Sequence, residues 1–209
     1  MLTDNFGFYA ILTNPLRGYE YLTEVLVEAE VAVVQLRDKH SSPFHLLKIA
    51  EKLRKITEGS KTLFIINDYP EIALDSGADG LHIGQSDGDP TLIRQTIGSD
   101  MILGLSTHNP NQTKAALKHP IDYVGVGPVY PTPTKDIPDP VLGLETMAEM
   151  VTIATVPSVC LGGISLDVLP EVLSAGAHNF SLVRPLCASS RPQEVVKEIQ
   201  AIYTNSRAI

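Results

Sequence analysis

The chain is predicted to be an α/β protein, a single (β/α)8 TIM barrel forming one domain over residues 1–209. Three observations carry that prediction. Short β-rich apolar runs alternate with longer stretches of helical spacing. Consecutive runs begin roughly 20 to 30 residues apart, the length a βαβ unit needs. Eight such units fill the chain with no break in composition, no low-complexity tract and no long linker, a little under the usual barrel of about 250 residues. An open doubly wound sheet shows the same alternation; eight units with no spare strand favour closure.

The strands are expected at 8–13 (FYAILT), 31–37 (VAVVQLR), 62–68 (TLFIIND), 80–84 (GLHIG), 102–107 (ILGLST), 123–128 (YVGVGP), 158–163 (SVCLGG) and 180–185 (FSLVRP). Most are apolar throughout, which suits parallel strands covered on both faces. The helices are expected as FHLLKIAEKLRKI after Ser42-Pro43, then PEIALDSG, TLIRQTIG, NQTKAALKH, LETMAEMVTIA, DVLPEVLSAG and PQEVVKEIQAIY. Several open on Ser, Asp or Asn followed by Pro, the pairing of an N-cap with a first-turn proline.

Composition excludes little but orders the rest. The chain is 44% hydrophobic and 19% charged, with a formal net charge of −8. That balance argues against nucleic acid or an anionic membrane as the main partner, and leaves room for a local basic pocket for a small anion. A chain of this length buries roughly 70% of its unfolded surface, so it needs no staple. Cys160 and Cys187 have no CxxC spacing and read as buried thiols of a reducing cytoplasm. The N-terminus shows no basic segment followed by an apolar one, and the apolar runs are strand-sized. The expected protein is cytoplasmic, with a homo-oligomer left open.

In a barrel the loops after the strand C-termini build the active site. The second strand ends QLRDK, and alternation puts Gln35, Arg37 and Lys39 on one face. The third strand ends Asn67-Asp68, and the fourth leads to Gln85 and Asp87. Each aspartate alone reads as a cap or turn residue. Together, on neighbouring strands, two carboxylates repel unless one is protonated or a cation sits between them. Mg²⁺ suits such an oxygen-only pair. The fifth strand delivers Ser106 and His108, the latter read as a half-buried structural histidine. The sixth carries Gly125 and Gly127, then a loop with Thr132, Pro133, Thr134 and Lys135. The seventh ends Leu161-Gly162-Gly163-Ile164-Ser165 and the eighth Val183-Arg184-Pro185, the place of a recurring phosphate site in this fold. A diphosphate ester carries roughly three negative charges, which Mg²⁺ with Arg37, Lys39 and Lys135 can balance despite two aspartates. Two anion sites in one barrel suggest two phosphorylated small-molecule substrates, one with a diphosphate leaving group.

The stretches QLRDK, IIND, ADGLHIGQSD, LGLSTH, DYVGVGPVYPTPTKD, LGLE and LGGIS together resemble the thiamine-phosphate synthase (thiamine-phosphate pyrophosphorylase) family. They stand in the family's order and spacing from Gln35 to about Arg184. The resemblance implies a cytoplasmic, Mg²⁺-dependent transferase. It would condense 4-amino-5-hydroxymethyl-2-methylpyrimidine diphosphate with 4-methyl-5-(2-phosphoethyl)thiazole, giving thiamine phosphate and diphosphate. It assigns Gln35, Leu36, Arg37, Asp38, Lys39, Asn67, Ser106 and Lys135 to the pyrimidine diphosphate, and Asp68 and Asp87 to the metal. Thr132, Pro133, Thr134, Gly163, Val183 and Arg184 go to the thiazole phosphate. One departure stands out. The family usually ends strand 8 with a Val-Ser pair and a small residue; here Pro185 removes an N–H donor and Arg184 offers a bidentate cation instead. Asn14 stands where the family more usually has an aspartate.

Three rivals share part of this pattern. A thiazole tautomerase-like paralogue would generally lack the paired carboxylates and Lys135. A non-catalytic protein that binds or senses thiamine precursors would be supported by Arg184-Pro185. A phosphosugar epimerase-like barrel would keep the GGIS cradle without needing the cations of strand 2.

Overall fold

Alternation along eight short strands decides the architecture. The computed structural model describes residues 2, 4–132 and 139–207. The strands are β1 (Tyr9–Leu12), β2 (Val33–Leu36), β3 (Leu63–Asn67), β4 (Gly80–Ile83), β5 (Ile102–Thr107), β6 (Tyr123–Val126), β7 (Ser158–Cys160) and β8 (Asn179–Phe180). Each pairs in parallel with the next, in the order of the chain. The ring closes where Phe8 bridges Phe180, with the Phe180 N–H donating to the Gly7 carbonyl at 3.1 Å. Asn179 reinforces this seam. Its Oδ1 accepts from the N–H groups of Phe6 and Gly7, and its Nδ2 donates to the carbonyls of Asp4 and Ser158. The predicted closed barrel is what forms, and the open sheet is not.

Because side chains alternate, the strands together supply two cores. Ala10, Leu12, Val34, Leu36, Phe64, Ile66, Leu81, Ile83, Leu103, Leu105, Val124, Val126, Cys160, Phe180 and Leu182 point outward into the layer beneath the helices. Tyr9, Ile11, Val33, Ile65, Tyr123 and Val159 point inward and fill the bore. Each large apolar side chain so buried contributes about 1.5–3 kcal/mol relative to exposure. Truncating the fully buried Phe64 to alanine would cost about 3–5 kcal/mol. Gly104 is required by the bore: a Cβ there would stand 2.1 Å from Cζ of Tyr123. Both cysteines are buried free thiols.

The helices are α1 (Tyr19–Glu28), α2 (Pro43–Thr57), α3 (Pro70–Ser76), α4 (Pro90–Ile97), α5 (Pro110–Ala116), α6 (Gly143–Ile153), α7 (Leu169–Ser174), α8 (Arg184–Cys187) and α9 (Pro192–Ser206). The expected cap-plus-proline starts hold at three of them. Ser42, Asp89 and Asn109 accept from His45, Thr91 and Gln112 backbone N–H groups, each followed by a first-turn proline. α1 lacked such a mark because Gly18, its N-cap, has no side chain to cap with and sits at φ 83°. The eighth strand is shorter than the expected 180–185: Arg184-Pro185 opens the helical turn α8 rather than ending a strand. Among the described residues no helix is long and apolar enough to cross a membrane.

Candidate active site

The strand C-termini open into one cavity of about 1240 Å³. Of the residues singled out from the sequence, Gln35, Arg37, Lys39, Asn67, Asp68, Asp87, Ser106, Thr132, Gly163, Val183 and Arg184 line it. Pro133, Thr134 and Lys135 lie outside the described residues. Leu36 and Asp38 stand apart from the lining. Alternation turns Leu36, 1% exposed, into the outer core. Asp38 instead ties down its own loop. Its Oδ1 accepts from the backbone N–H groups of His40 and Ser41, both at 3.0 Å, and its Oδ2 from the Ser41 hydroxyl at 2.8 Å. Burial pushes the Asp38 carboxyl up, and these bonds outweigh it and hold its pKa below the ordinary value. The loop so held is the one that carries Lys39.

Lys39 Nζ lies 3.1 Å from Asp68 Oδ2. Asp68 reaches that place through a backbone φ of 70°, a left-handed conformation that aspartate tolerates better than most residues. Its N–H donates to the His82 carbonyl at 2.8 Å, which fixes the turn. Asp87 is held by the Gly84 N–H, which donates to Oδ2 at 2.6 Å. Burial and the facing Asp87 carboxyl raise the Asp68 pKa above its ordinary value, against the pull of Lys39. Among the described residues, two carboxylates forced together with the Lys39 ammonium form an unbalanced oxygen donor set. Among the described residues no third acidic, histidine or cysteine side chain joins them. Such a pair fits a hard divalent ion, which takes one or two carboxylates and completes its shell with water and phosphate oxygens.

Below the acid pair a chain of hydrogen bonds crosses the bore. Gln35 Nε2 donates to Tyr9 Oη at 2.9 Å, and Tyr9 Oη meets Tyr123 Oη at 2.7 Å. Tyr123 Oη meets His82 Nδ1 at 2.9 Å, and His82 Nε2 meets Ser106 Oγ at 2.8 Å. Burial pushes both tyrosines well above their ordinary pKa, so they stay neutral hydroxyls. Tyr9, His82 and Tyr123 were not singled out from the sequence. The signal was there: each is a polar group at an inward, period-two position of an otherwise apolar strand.

The β6–β8 side of the cavity is built differently. Gly162 and Gly163 have φ of 93° and 68°, and a Cβ on Gly163 would stand 2.6 Å from the Pro131 carbonyl oxygen. Val129 and Tyr130 N–H groups donate to the carbonyls of Leu161 and Gly162, which packs the 128–131 stretch on the diglycine turn. Gly127 allows Leu161 to approach, since a Cβ there would lie 2.4 Å from the Leu161 oxygen. Arg184 stands exposed at the rim. His108, expected to be half-buried and structural, also lines the cavity: its Nδ1 donates to the Gly127 carbonyl at 2.6 Å, and its Nε2 faces Asp139 Oδ2 at 3.5 Å.

The model of the thiamine monophosphate synthase family matches residues 9–186. A thiamine-phosphate synthase of Lawsonia intracellularis is 37% identical over 199 residues, covering 93% of this chain and 91% of that protein. One from Pelotomaculum thermopropionicum is 38% identical over 180 residues, covering 86% and 82%. Among solved structures, thiamine phosphate pyrophosphorylase from Pyrococcus furiosus superposes with a TM-score of 0.88 at 25% identity, covering 97% of this chain and 98% of that one.

Proposed function

The chain belongs to the thiamine monophosphate synthase family, and from that premise we propose how its cavity makes thiamine phosphate from the pyrimidine diphosphate and the thiazole phosphate. The observation that carries the reading is the placement of Arg37, Lys39, Asn67, Asp68, Asp87 and Ser106 on one cavity, with Gly163 and Arg184 on the same wall system across from them. Diphosphate and phosphate anions then have separate seats in one enclosure.

The reaction breaks the bond between the pyrimidine methylene and the diphosphate oxygen, and the electron pair leaves with the diphosphate. The ring amino group feeds the electron-poor methylene. The thiazole nitrogen then forms the new C–N bond, and no proton has to move. Arg37 and Lys39 bind the diphosphate and stabilise the charge that grows on it as it departs; Lys135 completes the grip. Asp68 and Asp87 would hold Mg²⁺, which neutralises the leaving diphosphate when bound. Gln35, Asn67 and Ser106 orient the pyrimidine. Thr132, Thr134, Gly163, Val183 and Arg184 seat the thiazole phosphate so that its nitrogen faces the methylene, and the closed bore beneath keeps water from that carbon. The protein works as one barrel domain in the cytoplasm on small molecules. The facing Asp68 and Asp87 favour the synthase over the tautomerase-like paralogue, whose chemistry has no diphosphate to discharge.

The test is turnover. Purified protein with both substrates and Mg²⁺ should form thiamine phosphate, followed as fluorescence after oxidation to thiochrome, and chelation with EDTA should stop it. No product from folded protein that binds the pyrimidine diphosphate would sink the reading.

A further inference from the structure

The buried hydrogen-bond chain across the bore has a direction, and the direction follows from its two ends. An amide nitrogen can only donate. Tyr9 Oη accepts from Gln35 Nε2, so the Tyr9 hydrogen must go elsewhere. Among the described residues its one other hydrogen-bond partner is Tyr123 Oη, at 2.7 Å. Tyr123, having accepted, passes its own hydrogen to His82 Nδ1 at 2.9 Å. That ring nitrogen is therefore bare, and the imidazole proton sits on Nε2. Nε2 then donates to Ser106 Oγ at 2.8 Å, which leaves the Ser106 hydrogen to point into the cavity. Run the other way, the chain would strand the Tyr9 hydrogen without an acceptor at a site 1% exposed, a costly arrangement for a buried polar group. At the start of the chain Gln35 also lines the cavity, and with its nitrogen engaged its carbonyl oxygen is the atom left for a ligand.

We propose that Tyr9, Tyr123 and His82 are positioning residues, whose relay fixes the Ser106 hydroxyl as a donor and the Gln35 carbonyl as an acceptor, so that the cavity floor selects a heterocycle bearing a hydrogen-bond donor beside an acceptor. A 4-aminopyrimidine has that edge: an amino N–H next to a bare ring nitrogen. Its 4-oxo counterpart reverses both groups. The inference rests on the synthase reading for the identity of the ring, but not for the direction of the relay.

Two measurements test it. The first reads the tautomer directly, from long-range proton–nitrogen correlation spectra of the ligand-free protein labelled with [15N]histidine, with His82→Gln to assign the signal. Protonated Nε2 with bare Nδ1 is the expected pattern; protonated Nδ1, or an imidazolium, overturns the proposal. The second compares the competitive binding of 4-amino-5-hydroxymethyl-2-methylpyrimidine phosphate and its 4-oxo analogue. Tyr123→Phe removes the central hydroxyl and frees the direction of the Ser106 hydrogen, so the preference for the amino compound should fall by about tenfold, the equivalent of one hydrogen bond. A purely structural role would weaken both compounds alike and leave their ratio unchanged, which would overturn the proposal. Should Tyr123→Phe fail to fold, Tyr9→Phe cuts the same relay one link upstream and must move the same ratio. Absence of turnover with the expected tautomer counts against the synthase reading alone; full turnover with the reverse tautomer counts against the relay alone.

Discussion

The β2–β5 side of the cavity and the β6–β8 side are built by different means. The first side presents charged side chains whose positions are locked. Lys39 pairs with Asp68, Asp87 hangs from the Gly84 N–H, and Asp38 pins the loop that carries Lys39. On the second side the wall is backbone. Gly162 and Gly163 make a turn that only glycine enters comfortably, and Arg184 is an exposed cation at its edge. The difference fits the charges each side must meet. A leaving diphosphate gains charge during the reaction, so fixed opposite charges act on the barrier itself. A phosphate that only anchors its substrate needs a shaped seat and binds equally before and during the step.

That contrast predicts where damage should appear. The largest effect belongs to the side-chain grip. Asp87→Ala should lower kcat by about 10²- to 10³-fold, the usual range for losing one element of charge stabilisation, measured by thiochrome fluorescence at saturating substrates and Mg²⁺. A kcat within threefold of wild type would erase the proposed division of labour. The backbone seat should fail in KM instead. Gly163→Ala places a Cβ 2.6 Å from the Pro131 oxygen at a φ of 68°, so the 128–131 stretch must move. The KM for the thiazole phosphate should rise about 10- to 100-fold, since a misplacement near 1 Å is enough for that, while the KM for the pyrimidine diphosphate holds. Equal damage to both constants would show that the two sides are one site.

Arg184 sharpens the comparison because it brings a side-chain charge to the backbone side. Arg184→Ala should raise the KM for the thiazole phosphate about tenfold at low salt, as expected for one charge-assisted contact. Since the residue is exposed, the gap should narrow as salt shortens the Debye length from about 10 Å at 0.1 M to about 3 Å at 1 M. A tenfold loss that ignores salt would mean that Arg184 acts by shape rather than by charge.

The same contrast governs what could be read from the sequence. Side chains that act locally were legible. Ser42, Asp89 and Asn109 sit beside the prolines whose helices they cap, and alternation alone put Gln35, Arg37 and Lys39 on one face. Asp68 and Asp87 were legible as a pair because parallel neighbouring strands end at one mouth. Alternation also decides against Leu36, which a motif-wide reading takes in with its neighbours although its side chain faces the helices. The same reading takes in Asp38, whose partners are the N–H groups and hydroxyl of its own loop. The relay was not legible for a different reason. Tyr9 and Tyr123 are 114 positions apart, and His82 is 41 from Tyr123. Their meaning exists only once the barrel closes and brings inward positions of different strands together. Nor could Arg184-Pro185 be told from a strand end, since a proline that ends a strand is equally good at starting a helix.

The smallest effect is on stability, and its sign runs against activity. Asp68 has its pKa raised on folding, by burial and by Asp87. The folded chain therefore holds that proton more tightly than the unfolded chain, whose aspartates titrate near 3.9. The ionised carboxylate costs stability that builds as pH rises from about 4 toward the raised value, then stays lost above it. Asp68→Asn removes the charge and keeps a residue that tolerates a φ of 70°. In metal-free buffer at pH 8 its Tm should exceed wild type by about 2–4 °C, the shift expected of roughly 1 kcal/mol in a chain of this length. The difference should vanish below pH 4, where wild-type Asp68 is protonated too. It should also shrink when Mg²⁺ is added, because the ion stabilises only the protein that keeps both carboxylates. A variant less stable than wild type at pH 8 would mean that Lys39 outweighs Asp87 at Asp68, and that the metal-free pair is held as a salt bridge rather than waiting for a cation.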